Sequence, residues 1–451
     1  MGADYLDCSF SGPEIIGRSL VLGAHPLRLL PVDHHPITCL TSRARGLAAA
    51  LLFWMFICTT VSLGQTQSRS ILCVDGNGAL DTEFRSAIRV QVGPARDGLL
   101  ATRSCSAKLA WEKRELVVAT GASQVDVDAF GVDFGDGTPT AAFQIKRFGA
   151  DCCMDYQIYS LDKSPRMLRK ITGGEFFSAS DVDLDGRIEI WTNDAAVVSG
   201  FEGLSLGEFD SAPTLVLRFA RGQLEDVSAE FAQYFDDEIS KRRGEIPAQD
   251  LEDFKSSDGK LSPSPSISPE RMHRLRRVKI KALEIVWAYF YSGREPEAWR
   301  SLSEMWAPAD LERIRAAIVN ARAHGIHGQA EVTSAAAASD RKNVKKKHAQ
   351  IFDAVTRSGP GRGELEVVPP RAILLRRPPA PEIQTQGPES EVFLDLVIDA
   401  AGKVRSAGSA TKMKPVDPEL TNAALTWKFI PALREDRPVA SRLRLGVSSR
   451  Q

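Results

Sequence analysis

Residues 391–398 read EVFLDLVI, and residues 399–403 continue as DAAGK. Val392, Leu394, Leu396 and Ile398 alternate with more polar neighbours, the period of a strand with one buried face. Gly402 lies where a tight return calls for positive φ, and Val404 to Ala410 come back as a second strand. Asp417 then offers a capping carboxylate, Pro418 suits a first helical position, and Glu419 favours the positive end of the helix dipole. Leu420, Ala424 and Trp427 fall on one face of that helix. Val439, Ser441, Leu443, Leu445 and Val447 alternate as a third strand. Residues 391–451 are therefore expected to form a ββαβ unit, an antiparallel sheet with one helix packed on it.

The element order, the glycine in the first turn, the alanines of the helix, and Trp427, Phe429, Pro431-Ala432 and Pro438-Val439 together resemble the TonB C-terminal family. The resemblance covers residues 391–451 only. It implies a domain that binds outer-membrane receptors or another envelope protein by adding the partner's strand to a sheet edge, where backbone hydrogen bonds supply affinity and register. On that reading Trp427 and Phe429 belong to the core, and an edge lined by Arg442 and Arg444 is the interface. Energy-transducing members of the family carry an uncleaved N-terminal helix that couples to a proton-driven motor, usually with a functional histidine in or near it.

The run from Gly46 to Gly64, GLAAALLFWMFICTTVSLG, has no charge and no histidine and follows Arg43 and Arg45. Its length matches a short membrane-spanning helix, and Ser62 and Gly64 before Gln65 equally match a signal-peptide cleavage site. If uncleaved, it anchors the chain in the inner membrane. Residues 1–45 are irregular, with Pro13, Pro26, Pro31 and Pro36, and read either as a start assigned too far upstream or as a cytoplasmic tail. In both cases the residues after Gln65 are expected outside the cytoplasm, in the periplasm, because positive flanks stay inside.

The 451 residues carry a formal net charge of -1, which gives no electrostatic reason for a nucleic-acid partner. Hydrophobic content of 43% is that of a globular protein with real cores. Of seven cysteines, Cys73, Cys105, Cys152 and Cys153 fall in the exported part, where disulfides form. Neighbouring cysteines seldom bond to each other, so Cys152 and Cys153 could pair with Cys73 and Cys105, although sequence alone leaves the connectivity open.

The expected class is multidomain α+β. Residues 70–235 hold short β-like runs, among them Glu115–Thr120, Thr140–Lys146, Tyr156–Leu161, Ile188–Thr192 and Thr214–Phe219, and read as a mostly-β domain. Residues 236–270 are charged and end in Ser/Pro-rich sequence, the composition of a linker. In residues 271–327 Met272, Leu275, Val278, Ala282, Ile285, Val286 and Tyr289 mark a first helix, with two more after Pro296 and Pro308. Tyr289, Gly293, Ala298 and Leu302 resemble a tetratricopeptide hairpin, although a single repeat falls short of a stacked array. Residues 328–390, basic and then Pro-rich, are expected to form a disordered spacer.

Asp181-Val-Asp183-Leu-Asp185-Gly186-Arg187-Ile-Glu189 sets carboxylates at alternate positions of a turn, so that they converge on one centre. Arg187 can add its carbonyl and Glu189 a further oxygen, a donor set suited to a hard cation such as Ca²⁺. No helix flanks the loop, which resembles the Ca²⁺ loops between strands of FG-GAP and related β-propeller repeats; a structural ion is implied. Val125–Pro139 is at best a degenerate second copy. Gly203-Leu-Ser205-Leu-Gly207 matches a nucleophile elbow, yet EFDSAPT after it opens no helix and no suitable histidine follows. His324 and His327 lack a third ligand. An enzyme is not expected. The leading expectation is an envelope protein with a TonB-like protein-binding end, and it stands beside a secreted enzyme with a Ca²⁺-stabilised β-domain and a periplasmic structural adaptor.

Overall fold

Strands that follow one another closely in the chain pair as hairpins here, which short turns rich in Gly and Asp permit. The computed structural model describes residues 72–84, 87–95, 103–149, 152–262, 267–330, 350–354, 367–375, 391–410 and 416–448. The run 46–64, residues 1–45 and the basic cluster at Arg341–Lys347 lie outside them. Among the described residues no helix is long and apolar enough to cross a membrane.

Eight antiparallel strands form the largest sheet: Cys73–Val74 (β1), Leu80–Glu83 (β2), Arg89–Pro94 (β3), Cys105–Trp111 (β4), Arg114–Val132 (β5), Thr140–Arg147 (β6), Met154–Ser160 (β7) and Met167–Gly174 (β8). β2 to β8 lie in chain order. The long β5 holds β4 along its first half and β1 further on, at Val125 and Gln124. A second sheet of four strands, Phe177–Ser180 (β9), Glu189–Asn193 (β10), Thr214–Ala220 (β11) and Gln223–Asp226 (β12), has the order β12-β11-β10-β9. Alternation along β6 divides the cores: Ala141, Phe143 and Ile145 pack in one cluster, and Ala142 in the other.

That second cluster continues without a break into the helices. Ser268 caps the helix Pro269–Tyr291 by accepting the Arg271 N–H at 3.3 Å, and Pro269 occupies its first position. Leu275, Val278, Ala282, Ile285 and Val286 are buried along it, and Ala298 and Leu302 are buried in the next helix, Glu295–Met305. The buried Glu284 accepts the backbone N–H of Asp210 at 2.8 Å and Nε of Arg242 at 3.1 Å. It thereby ties the helices to the loop before β11. In the helix Leu311–His324, Arg313 makes a two-pronged bond to Glu202 at 2.6 and 2.7 Å.

Three expectations change. Residues 236–270 are not a linker: they hold most of the helix Ala232–Gly244 and all of Ala248–Lys255, whose Phe235, Ile239 and Phe254 are buried. Parts of 328–390 pair as strands, namely Phe352–Asp353 (β13), Val367–Val368 (β14) and Arg371–Leu374 (β15). Few residues there can fill a core, but Ile373 and Leu374 pack against the cluster of the large sheet. The described elements also belong to one compact unit, Arg69–Gln451, not to domains spaced by tethers. The fold class is mixed α+β with several antiparallel sheets.

Near the C-terminus Glu391–Ile398 (β16) pairs antiparallel with Val404–Ser409 (β17), and the helix Pro418–Leu425 follows. Asp417 caps it, accepting the Glu419 N–H at 2.9 Å. Three short strands, Lys428–Ile430 (β18), Ala432–Arg434 (β19) and Arg437–Val439 (β20), then precede Ser441–Ser448 (β21). The sheet order β13-β21-β16-β17 puts β16 in the middle, and the three short strands are additions to the plain ββαβ order. Trp427 and Phe429 are buried with Leu394, Leu396 and Ile398. At Gly402, φ is +78° and a Cβ would stand 1.9 Å from the Phe429 carbonyl oxygen, so a side chain is excluded on both counts.

The cysteines pair otherwise than the sequence suggests: Cys73 bonds Cys105, and Cys152 bonds Cys153. β1 and β4 share the edge of β5, which brings Cys73 and Cys105 together and leaves Cys152 and Cys153 to each other.

Candidate metal centre and the seat of the C-terminal segment

Between β9 and β10 the chain turns through Asp181–Arg187. One carboxylate oxygen each from Asp181, Asp183 and Asp185 lie within 4.8 Å of one another. The loop holds this shape through its own backbone: Gly186 N–H donates to Asp181 Oδ2 at 3.0 Å and Arg187 N–H to Asp185 Oδ1 at 2.9 Å. Gly186 takes φ +83° with open space around it, as the tight bend expected there requires. The Arg187 side chain folds back onto Asp185.

Glu189 is buried at the start of β10. Arg218 on β11 donates to its Oε1 at 2.9 Å and also binds Glu230. Among the described residues nothing donates to Glu189 Oε2 or to Asp181 Oδ1, although both atoms are buried. Such an orphaned oxygen costs about 1–3 kcal/mol, more when charged, unless a cation or proton meets it. Burial pushes the Asp181 carboxyl up to about 7, and the neighbouring Asp399 adds to this. Burial also lifts Glu189 to about 7 against the pull of Arg218, with Asp183 and Asp185 close enough to contribute. Carboxylates that repel one another, with Asp181 and Glu189 buried and each leaving an oxygen free while Asp183 is exposed, fit a hard divalent cation. The structure thus brings Asp181, Asp183 and Asp185 together, leaves Glu189 outside that 4.8 Å group though within their electrostatic reach, and gives Arg187 a side-chain role on Asp185.

Asp399, in the β16–β17 turn, was not legible as part of this site. Its Oδ1 accepts the N–H groups of Ala401 and Lys403, both at 2.9 Å. Its Oδ2 accepts the N–H of Asp181 at 3.1 Å. Asp399 is fully buried, and burial lifts it to about 6 against those bonds.

No family model matches this chain, and neither a curated protein nor a solved structure matches it.

Beside Asp399 two lysines of the C-terminal segment enter the large sheet. Lys428 Nζ donates to Asp126 Oδ2 at 2.6 Å and to the Val127 carbonyl at 2.9 Å. Lys403 Nζ bonds Asp128 Oδ1, while Asp128 Oδ2 accepts the Tyr156 hydroxyl at 2.8 Å and the Ala179 N–H at 2.7 Å. All four charged groups are largely removed from water. Burial raises Asp126 and lowers Lys428, each against the attraction of the other. Val125–Pro139, weighed as a second cation loop, therefore does something else: Asp126 and Asp128 point from β5 to the lysines, and Asp133 accepts the N–H groups of Gly135 and Gly137.

The remaining motifs resolve plainly. Ser205 turns its hydroxyl and N–H to Glu208 at 3.0 and 2.7 Å, a local cap. His327 Nδ1 lies 2.9 Å from Asp226 Oδ2, so it is engaged and does not simply face solvent. Arg444 forms a two-pronged pair across the sheet with Asp395 at 2.8 and 3.0 Å, and Arg442 stands in register with Asp353 on β13. Arg444 is thus held on the open face of the sheet and does not project from its edge.

Proposed function

We propose that this chain is an extracytoplasmic protein-binding scaffold whose C-terminal segment takes an extended strand of an envelope partner along β21, as the TonB-like pattern of residues 391–451 implies. The observation that carries this is the state of the β21 edge. β13 already adds to it as a parallel strand, with Phe352 N–H donating to the Ala440 carbonyl and Ala354 N–H to the Arg442 carbonyl, both at 3.0 Å. By strand alternation the N–H and C=O groups of Arg444 and Gly446 point the same way. Among the described residues no strand pairs with that edge beyond Arg442. An edge that no described strand covers, next to an accepted strand, is a template for another. Export is supported by the pairing of all four cysteines after Gln65, chemistry that belongs to oxidising compartments.

A photocrosslinking residue at Arg444 should give one discrete adduct in envelope fractions, and one at the exposed Val319 should not. Gly446→Pro removes an edge N–H without touching the bonds to β16, and should cut the Arg444 adduct at least about tenfold. An adduct of equal strength from both positions, or one indifferent to Gly446→Pro, would sink the reading.

We also propose that Asp181, Asp183, Asp185 and Glu189 hold a structural Ca²⁺. The support is the pair of orphaned oxygens on Asp181 and Glu189. Calorimetry on the full chain should show one Ca²⁺ bound, and Asp183→Ala should abolish the heat; a flat titration of the unaltered chain ends this proposal.

A further inference from the structure

We infer that the cation loop is a brace for the C-terminal segment, so that filling it fixes the seat from which β21 receives a partner; this rests on the Ca²⁺ reading above. The loop backbone makes two hydrogen bonds outward, one to the Asp399 side chain and one to the Gln350 N–H. Asp181, the first carboxylate of the loop, gives its N–H to Asp399 Oδ2 in the β16–β17 turn. Leu184, in the middle of the loop at φ +59°, accepts the Gln350 N–H on its carbonyl oxygen at 3.4 Å. Gln350 leads directly into β13, the strand on the β21 edge. One end of the loop therefore grips the inner hairpin of the C-terminal sheet, and its middle grips the strap along the outer edge.

The charges explain why a cation would matter to this joint. Asp181, Asp183 and Asp185 converge, with Asp399 bonded to the Asp181 N–H and Glu189 following at the start of β10; against them stand Arg187 on Asp185, Arg218 shared between Glu189 and Glu230, and Lys403 and Arg405 beside Asp399. Without further positive charge, Asp181 and Asp399 repel each other across the bond that links them. A divalent cation on Asp181 removes that repulsion and holds the loop in the one shape that presents the Asp181 N–H and the Leu184 carbonyl. Asp399 is a positioning residue here: its own oxygens are taken by Ala401, Lys403 and Asp181, and it is not offered as a ligand.

Linkage sets the size of the test, because whatever factor the cation contributes to docking, docking returns to cation affinity. Hydrogen exchange of the full chain is compared in CaCl₂ and in EDTA at one pH, with Asp399→Asn measured alongside. We expect exchange across residues 396–405 and 350–354 to slow about tenfold with Ca²⁺. In Asp399→Asn that slowing should shrink and the calorimetric affinity should fall by about the same factor. Bound Ca²⁺ with slowing confined to residues 181–189 would overturn the brace and leave the ion. Absence of Ca²⁺ binding in the unaltered chain would overturn both. Because the exchange difference is read on the unaltered chain, the result stands even if Asp399→Asn does not fold.

Discussion

Lys428→Met is expected to lower the unfolding free energy by about 3–5 kcal/mol, measured by chemical denaturation of the full chain at pH 7. Lys428 is buried, its ammonium bonded to Asp126 and to the Val127 carbonyl. Methionine fills nearly the same volume, so packing changes little. What remains is the Asp126 carboxylate, buried, with Oδ1 already lacking a donor and Lys403 as its nearest remaining positive charge. The cost is that of a stranded charge and exceeds the net worth of the pair. Replacing both partners, as Asp126→Leu with Lys428→Met, should recover most of the loss, since the burial of two ions was itself expensive. The pH dependence has a definite sign. Burial holds Asp126 above its usual value, so the native state binds a proton more readily than the unfolded one. In Lys428→Met that proton-linked stability is fully present below the unfolded carboxylate value, about 4, and is lost as pH rises through the folded value. The variant should therefore gain on the parent as the solution is acidified. A loss below about 1 kcal/mol at pH 7 would mean that this pair is not shut away from water.

The second large effect is loss of the Cys73–Cys105 bond. Its partners are separated by 32 positions and both are fully buried. Closing a loop of that length removes chain entropy from the unfolded state worth about 3–4 kcal/mol. Cys73→Ala with Cys105→Ala should show that deficit against the oxidised parent, and reductant should then cost the double variant little more. The Cys152–Cys153 bond closes no loop between distant residues, so Cys152→Ala with Cys153→Ala should cost much less. Equal losses from the two pairs would contradict the entropic account.

Local chemistry carried much of the architecture. The alternation in 391–398, the Asp417–Pro418 helix start and the apolar face from Leu275 to Val286 are all properties of neighbouring residues, and each appears as an element. The acid triad of the loop was legible for the same reason, since alternate carboxylates across one turn must converge. The vicinal cysteines were misjudged because pairing depends on which strands share an edge. Residues 236–270 were misjudged because their polar composition hides the few apolar contacts that hold Phe235 and Phe254.

The sequence by itself determined the strands at 391–398 and 404–409, the Asp417–Pro418 helix start, the turn glycines Gly186 and Gly402 and the triad Asp181, Asp183 and Asp185, because each depends on residues a few positions apart. Tertiary structure alone decided that Lys428 meets Asp126 across 302 positions, that Asp399 meets Asp181 across 218, and that β13 lies on β21. In a sequence a buried lysine or aspartate looks like a solvated one, since its partner is set by how sheets and segments pack and not by any spacing along the chain.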